Sequence, residues 1–105
     1  MLELDKKNFD EVVYDSEGYV FVDFWSESCE PCKALMPGVH ELAEKYGDKI
    51  KFASLDITKA RRAAIKCGVL GLPTMLMFKD GEKVDTIDAD TATIENIEAM
   101  IKKYY

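Results

Sequence analysis

Two cysteines three residues apart are the side chains of this sequence best suited to chemistry. Cys29 and Cys32 enclose Glu30 and Pro31, at the point where a strand pattern gives way to a helix pattern. At a helix start, side chains three apart lie about 5–6 Å from each other, and a disulfide needs Cα atoms roughly 4.4–6.8 Å apart. The spacing therefore predicts a pair that opens and closes as a disulfide with little backbone motion.

The predicted helix start gives the two sulfurs different roles. Cys29 faces the unpaired N–H groups and the positive end of the helix dipole, which stabilise a thiolate. Cys32 lies one turn deeper and is shielded. Pro31 suits the first helical turn, where its missing N–H costs nothing. We expect Cys29 to attack a partner disulfide and Cys32 to resolve the mixed disulfide that results.

Two alternatives to redox chemistry compete for the cysteine pair. A structural zinc site would use Cys29, Cys32, Cys67 and His40. His40 lies about 12 Å beyond Cys32 along the predicted helix, whereas zinc ligands lie about 2.0–2.3 Å from the metal. The sequence therefore disfavours a zinc site. The second alternative is an inert buried pair, which the helix-start position disfavours.

Composition limits the class of protein. The 105 residues carry 20 acidic and 14 basic side chains, a net charge of −6. Nucleic acid and anionic membranes are disfavoured as partners, since both need a basic face. Three cysteines are an odd count and too few for a disulfide scaffold. Because no signal peptide or membrane-spanning run is recognisable, we expect a cytoplasmic protein.

The apolar pattern predicts the elements that hold the pair. Residues 19–25 are almost continuously apolar, which predicts a strand buried on both faces, as in parallel sheets. A helix over residues 31–46 follows, kinked at Pro37 and stopped by Gly47. The other predicted elements are a weak strand over 2–4, a helix capped by Asp5 and ending near Gly18, a strand over 52–57, a helix over 59–66, strands over 75–78 and 83–87 joined at Asp80-Gly81, and a helix over 92–103. This order is typical of a mixed α/β sheet with helices on both faces.

The sequence resembles the thioredoxin family along nearly its full length. The matching motifs are Val22-Asp23-Phe24-Trp25, Cys29-x-Pro31-Cys32-Lys33, Pro37, Gly68-Val69-x-Gly71-Leu72-Pro73-Thr74 and Phe78-Lys79-Asp80-Gly81. The resemblance implies a single domain over 1–105 with the thioredoxin fold, a mixed sheet of about five strands flanked by about four helices. It also implies a monomeric electron carrier that reduces disulfide-containing proteins, needs no bound cofactor, is re-reduced by a thioredoxin reductase and serves cell redox homeostasis.

The resemblance also assigns supporting residues. It implies that Pro73 is cis and packs against the cysteines, and that Leu72 offers its backbone to the substrate. The remaining support and groove residues are Trp25, Glu30, Pro31, Lys33 and Thr74.

Asp23 is the only charged residue in the predicted strand over 19–25. Burial of its carboxyl raises the pKa and favours the neutral form. The resemblance implies that this carboxylate accepts the proton of Cys32 through a water while the substrate is released from the mixed disulfide. The alternative is a carboxylate that reaches solvent at a strand end. We expect Asp23→Asn to keep the fold, stabilise it and slow turnover at neutral pH.

Several positions depart from the family pattern. They are Ser28 in place of Trp, Glu30 in place of Gly, an additional acid at Glu27, Ser54 where a Lys often partners the buried acid, and Ala89 where a Gly commonly lines the groove. A carboxylate at Glu30 repels a Cys29 thiolate, which makes the couple more reducing by about 10–30 mV. The alternative is a solvated glutamate with no redox effect.

The remaining reactive and charged residues receive weaker assignments. We expect Cys67 to be a packed, inert thiol, with a regulatory or dimerising thiol as the alternative. His40 is a helix-surface residue, and Lys59, Arg61 and Arg62 form a solvated face that can still contact a partner. The functional alternatives are a non-catalytic binding module and a family member dedicated to one partner system. A glutathione-using, glutaredoxin-like protein is disfavoured by the strand and hairpin motifs.

Overall fold

A five-stranded sheet lies at the centre of the computed structural model, which describes all 105 residues. Its strands lie in the order β1-β3-β2-β4-β5. They are β1 (Leu2–Leu4), β2 (Tyr19–Trp25), β3 (Ile50–Asp56), β4 (Thr74–Lys79) and β5 (Glu82–Ile87). β1 and β2 run parallel to β3, whereas β4 runs antiparallel to both β2 and β5. The predicted mixed sheet is therefore confirmed.

The central strand β2 is buried on both faces, as its apolar run predicts. Successive side chains of a strand point to opposite faces, so β2 contributes to two cores. Phe21 packs in the core covered by helices α1 (Glu30–Tyr46) and α3 (Ile94–Tyr104). Val22 and Phe24 pack on the other face, in the core that includes helix α2 (Arg61–Lys66). This burial holds the end of β2, and the residues that follow it, in a fixed position.

Helices α1 and α3 form within one or two residues of their predicted bounds, and α3 ends at Tyr104, one residue later than predicted. α1 begins at Glu30 and runs without interruption through Pro37 to Tyr46, with Gly47 as its C-cap. α3 begins two residues later than predicted, because the Thr93 hydroxyl oxygen accepts the backbone N–H of Asn96 at 3.1 Å and caps the helix there.

The first predicted helix is wrong in length and in winding. Only a π-helical segment forms, Asp10–Tyr14, rather than a helix that reaches Gly18. Asp5 caps only the turn that precedes this segment, where its Oδ1 accepts the backbone N–H of Lys7 and Asn8 at 2.8 and 3.0 Å. The segment itself begins after Phe9 without a side-chain cap. The segment stops early because the Ser16 hydroxyl donates to the carbonyl of Glu11 at 3.2 Å, and so competes with further helical bonds.

Local sequence also accounts for the connections that follow β3 and β4. β3 ends at Asp56, one residue earlier than predicted, because the Asp56 carboxylate accepts the N–H of Thr58 at 3.0 Å and starts a 3₁₀ turn over Ile57–Lys59. α2 therefore begins at Arg61. The predicted hairpin between β4 and β5 is confirmed, and Asp80 and Gly81 both have positive φ angles, 50° and 84°, as a type I′ turn requires.

Candidate active site

The cysteine pair lies where the chain passes from the end of β2 into the first turn of α1. Cys29 is the N-cap of α1, with extended backbone angles, and its Sγ accepts the backbone N–H of Cys32 at 3.2 Å. Pro31 occupies the first turn, where no intrahelical N–H is needed. The sulfur of Cys29 thus satisfies one of the helix's unpaired donors and lies at the positive end of its dipole.

The two cysteines form a disulfide and differ in accessibility. Their Cα atoms are 5.3 Å apart, within the range that the spacing predicts. Cys32 is fully buried, with 1% of its surface exposed, whereas Cys29 is half-buried. Cys29 is therefore the more accessible of the two cysteines to a partner. The arrangement matches an attacking thiol followed by a shielded resolving thiol.

Asp23 lies two residues before the end of β2, with 1% of its surface exposed. Neither carboxylate oxygen has a hydrogen-bond partner. Burial alone raises the pKa of this carboxyl from 3.8 to about 7. Its neighbour in register on β3 is Ser54, so no basic side chain stands at the adjacent position to hold the carboxyl ionised. A carboxyl with a pKa near 7 can take up or release a proton at neutral pH.

The loop before β4 reaches the same edge of the sheet as Cys29. The first residue of β4, Thr74, pairs with Phe24 near the end of β2. The Leu72–Pro73 bond is cis, as the family resemblance implies. The Thr74 hydroxyl donates to the carbonyl of Gly71 at 2.6 Å and closes the loop. Pro73 is buried, whereas Leu72 is half-buried.

Charged side chains surround the exposed side of the helix start. Glu30 is largely exposed, and its carboxylate lies 3.3 Å from the ammonium of Lys33. Lys33 also lines an open cleft of about 370 Å³ whose walls include Trp25, His40 and Ser54. The ammonium of Lys33 offsets part of the negative charge that Glu30 brings to the cysteine pair.

Comparison with known proteins agrees with this geometry. The family model described as Thioredoxin matches residues 1–103. The chain belongs to the thioredoxin family. It is 57% identical over 104 residues to the thioredoxin of Acetoanaerobium sticklandii, covering 99% of each chain. It is 50% identical over 104 residues to the thioredoxin of Peptoclostridium acidaminophilum, covering 99% of this chain and 94% of that relative. The thioredoxin of Bacillus subtilis is 45% identical over 71 residues, 68% of each chain.

Membership of the thioredoxin family, together with the disulfide at the start of α1, makes the chain a protein-disulfide oxidoreductase with a redox-active cysteine pair. The family fold predicted from the sequence is confirmed, with five strands, three α helices and the π-helical segment. No helix of this family member is both long enough and apolar enough to cross a membrane.

The structure does not bring the four zinc-ligand candidates together. No group of three or more His, Cys, Asp or Glu side chains is placed to hold a metal ion. His40 lies exposed on α1. Cys67 is buried at the end of α2, where its sulfur and the Tyr14 hydroxyl form a 3.2 Å hydrogen bond. Burial raises the pKa of the Cys67 thiol, which agrees with the packed, unreactive thiol expected from the sequence.

Two features near the thioredoxin-family site were not predicted from the sequence. Ser26 is buried and its carbonyl accepts the N–H of Cys29 at 3.1 Å, which fixes the turn into α1. Its position between a strand and a helix cap was the one signal for this residue. Leu70 lies in the apolar run after Gly68, yet 98% of its surface is exposed. No pattern in the sequence separates this leucine from a buried one.

Proposed function

We propose that this protein reduces disulfide bonds in other proteins through Cys29 and Cys32. The observation that carries the proposal is the asymmetry of the pair, a half-buried cysteine whose sulfur caps the helix beside a fully buried one. In the dithiol form, the Cys29 thiolate attacks one sulfur of the substrate disulfide and forms a mixed disulfide. The other substrate sulfur leaves as a thiolate and takes a proton.

The buried thiol then completes the transfer. Cys32 loses its proton and attacks the sulfur of Cys29, which forms the Cys29–Cys32 disulfide and releases the second substrate thiol. Two electrons have passed from this protein to the substrate. Asp23 accepts the Cys32 proton through a water, a role that its burial and its pKa of about 7 support.

The remaining predicted residues support binding of the substrate. The backbone of Leu72 pairs with the substrate chain, and Pro73 and Thr74 hold that loop against the end of β2. Trp25 and Lys33 line the same open cleft, and Pro31 lies in the first turn of α1. Glu30 contributes a negative charge at the start of α1, next to Lys33.

A trapping experiment tests the assignment of the two sulfurs. We expect Cys32→Ser to accumulate as a mixed disulfide with a protein substrate, and Cys29→Ser to form none. Cys67→Ser is the matched control, because Cys67 is the third cysteine and lies buried against Tyr14. It should reduce the substrate at the parental rate, with dithiothreitol as the electron source. Equal reduction by the parent and Cys29→Ser would instead favour a binding module with the same fold.

The role of Asp23 as a base has its own test. The rate at which Cys32 resolves the mixed disulfide should rise as the pH passes through about 7, where the Asp23 carboxyl ionises. Asp23→Asn should lower this rate at pH 7 by roughly 100-fold, at the lower end of the range of general-base effects. An unchanged rate would remove Asp23 from the mechanism.

We further propose that the oxidised form is re-reduced by a thioredoxin reductase, and that residues 1–105 act as one monomeric domain in the cytoplasm, where stable disulfides are rare. Family membership supports the reductase as partner. The test is an assay in which a reductase of the family and its electron donor are the only reductants. Continued reduction of the protein substrate supports the proposal, and a protein that stays oxidised contradicts it.

A further inference from the structure

An apolar groove beside the active site contains two strongly exposed apolar side chains. Leu70 is 98% exposed and Ile65 is 73% exposed. A single exposed leucine is ordinary, but these two line one groove of about 150 Å³. An apolar cavity of that volume holds a benzene ring in another protein. The groove therefore has room for one side chain of the size of phenylalanine or leucine. Its other apolar lining residues are Ile57, Ala64, Val69 and Leu72.

The groove is continuous with the substrate-binding loop. Leu72 lines it and immediately precedes Pro73 and Thr74, the start of β4. Ile57 follows β3, which pairs in parallel with β2 up to Trp25. The groove and Cys29 therefore lie at the same edge of the sheet, so a substrate held at Cys29 can also reach the groove.

One charged residue, Arg61, lines this apolar groove. Its side chain is exposed and takes part in no salt bridge, although the chain has a net charge of −6. A guanidinium without a partner favours a carboxylate, which it binds with a planar pair of N–H donors. Leu70 also lines a second groove together with Asp88 and Asp90, which repel an acidic segment. The charges thus direct a carboxylate toward Arg61.

We propose that this groove selects substrate segments in which a phenylalanine- or leucine-sized side chain stands next to a carboxylate. The apolar side chain occupies the space between Ile65 and Leu70, and the carboxylate pairs with Arg61. This inference rests on the proposed function, because the segment must also present its disulfide to Cys29. It adds a preference among protein disulfides that the disulfide chemistry alone does not supply.

Four synthetic peptides test the preference. Each carries one disulfide, and near its first cysteine stands Phe-Glu, Phe-Lys, Ser-Glu or Ser-Lys. The reduced protein is mixed with each peptide at about 0.15 M ionic strength, where the Debye length is about 8 Å, and its oxidation is followed by the fluorescence of Trp25. We expect Glu to exceed Lys by about two- to fivefold, as for an exposed ion pair. Phe should exceed Ser by about tenfold, as for a buried apolar side chain.

Two variants with matched controls locate the preference. Arg61→Glu should reverse the choice between Glu and Lys, whereas Arg62→Glu, the same change at an adjacent exposed residue outside the groove, should keep it. Leu70→Ser should remove most of the advantage of Phe, and Val84→Ser, on the distant strand β5, should not. All rates are expressed relative to a small-molecule disulfide, which corrects for changes in the cysteine pair.

The outcomes separate this inference from the proposed function. If the parent reduces all four peptides at equal rates, the groove has no selectivity and the inference is overturned, while the proposed function stands. If Arg62→Glu reverses the preference for Glu over Lys as Arg61→Glu does, the preference comes from net charge and the inference is also overturned. If the parent reduces no peptide and no protein disulfide, the proposed function itself fails.

Discussion

The buried carboxyl of Asp23 should contribute less to the free energy of unfolding at neutral pH than at acid pH, and Asp23→Asn should remove that contribution. The pKa of this carboxyl is about 7 in the folded protein against an ordinary value of 3.8. Well below pH 3.8 the group is neutral in both states, so it carries no penalty. Between pH 4 and 7 the folded state keeps a proton that the unfolded state releases, so the free energy of unfolding falls as the pH rises.

The size of the effect follows from the same two values. Above pH 7 the carboxylate is charged and buried without a hydrogen-bond partner, and the penalty is complete. Each pKa unit is worth about 1.36 kcal/mol, which gives a penalty of about 4 kcal/mol. For a domain of this size, that is a large part of a total stability of roughly 5–15 kcal/mol.

The assay is urea unfolding of the oxidised parent and Asp23→Asn between pH 4 and 9, followed by the fluorescence of Trp25. The two proteins should differ least near pH 4, and above pH 7 the variant should unfold at about 1–4 M more urea, given slopes of roughly 1–3 kcal/mol per M. The oppositely acting carboxylates Asp80, Asp85 and Glu98, whose pKa values are lowered, cancel in this difference.

Two further variants make the pH test specific. Asp15→Asn changes an exposed carboxylate and should alter the free energy of unfolding by less than about 0.5 kcal/mol at every pH. Ser54→Lys places an ammonium next to Asp23 in register, so it should lower the pKa of the acid and flatten the pH dependence. A difference between parent and Asp23→Asn that stays constant from pH 4 to 9 would contradict a buried, unpaired carboxyl.

Three smaller predictions concern other contacts. Glu30→Gln should raise the redox potential of the cysteine pair by about 10 mV, near the lower end of the range expected from sequence, because Lys33 lies 3.3 Å from the carboxylate and offsets its charge; equilibration with glutathione measures it, and a lower potential would exclude the repulsion. Tyr14→Phe loses the 3.2 Å bond to Cys67 and should cost about 1 kcal/mol in urea unfolding, whereas no loss would mean that the bond contributes nothing. Gly81→Ala should cost at least about 1–3 kcal/mol, because the residue has φ of 84° and its Cβ would collide with the Tyr14 carbonyl; parental stability would mean that the turn relaxes.

Strong local patterns predicted most of the fold. The apolar run over β2, the Asp80-Gly81 turn and the periodic apolar face of α3 each specify one local structure and little else. The π-helical segment Asp10–Tyr14 could not be predicted, because its winding depends on the Ser16 hydroxyl taking a carbonyl and on packing against β2. Such side-chain competition with the backbone is not visible in periodicity.

The candidate site, like the fold, was only partly predictable from the sequence. The cysteine spacing and the proline after Glu30 indicate a disulfide at a helix start without any knowledge of the fold. The burial of Asp23 was also predictable, since the residue stands within an apolar strand. The exposure of Leu70 and the free guanidinium of Arg61 were not, because both depend on which residues of distant segments meet at the edge of the sheet.

The sulfur of Cys29 both reacts and caps α1, so each redox step also changes the end of a helix. A thiolate accepts the N–H of Cys32 more strongly than a neutral sulfur does, because charge-assisted hydrogen bonds are about twice as strong. Reduction to the thiolate therefore tightens the first turn of α1, and formation of a disulfide, with a substrate or with Cys32, loosens it. Hydrogen exchange at the Cys32 amide should therefore be slower in the reduced protein than in the oxidised protein. A partner that contacts the first turn of α1 would then distinguish the reduced form from the oxidised form by the stability of that turn.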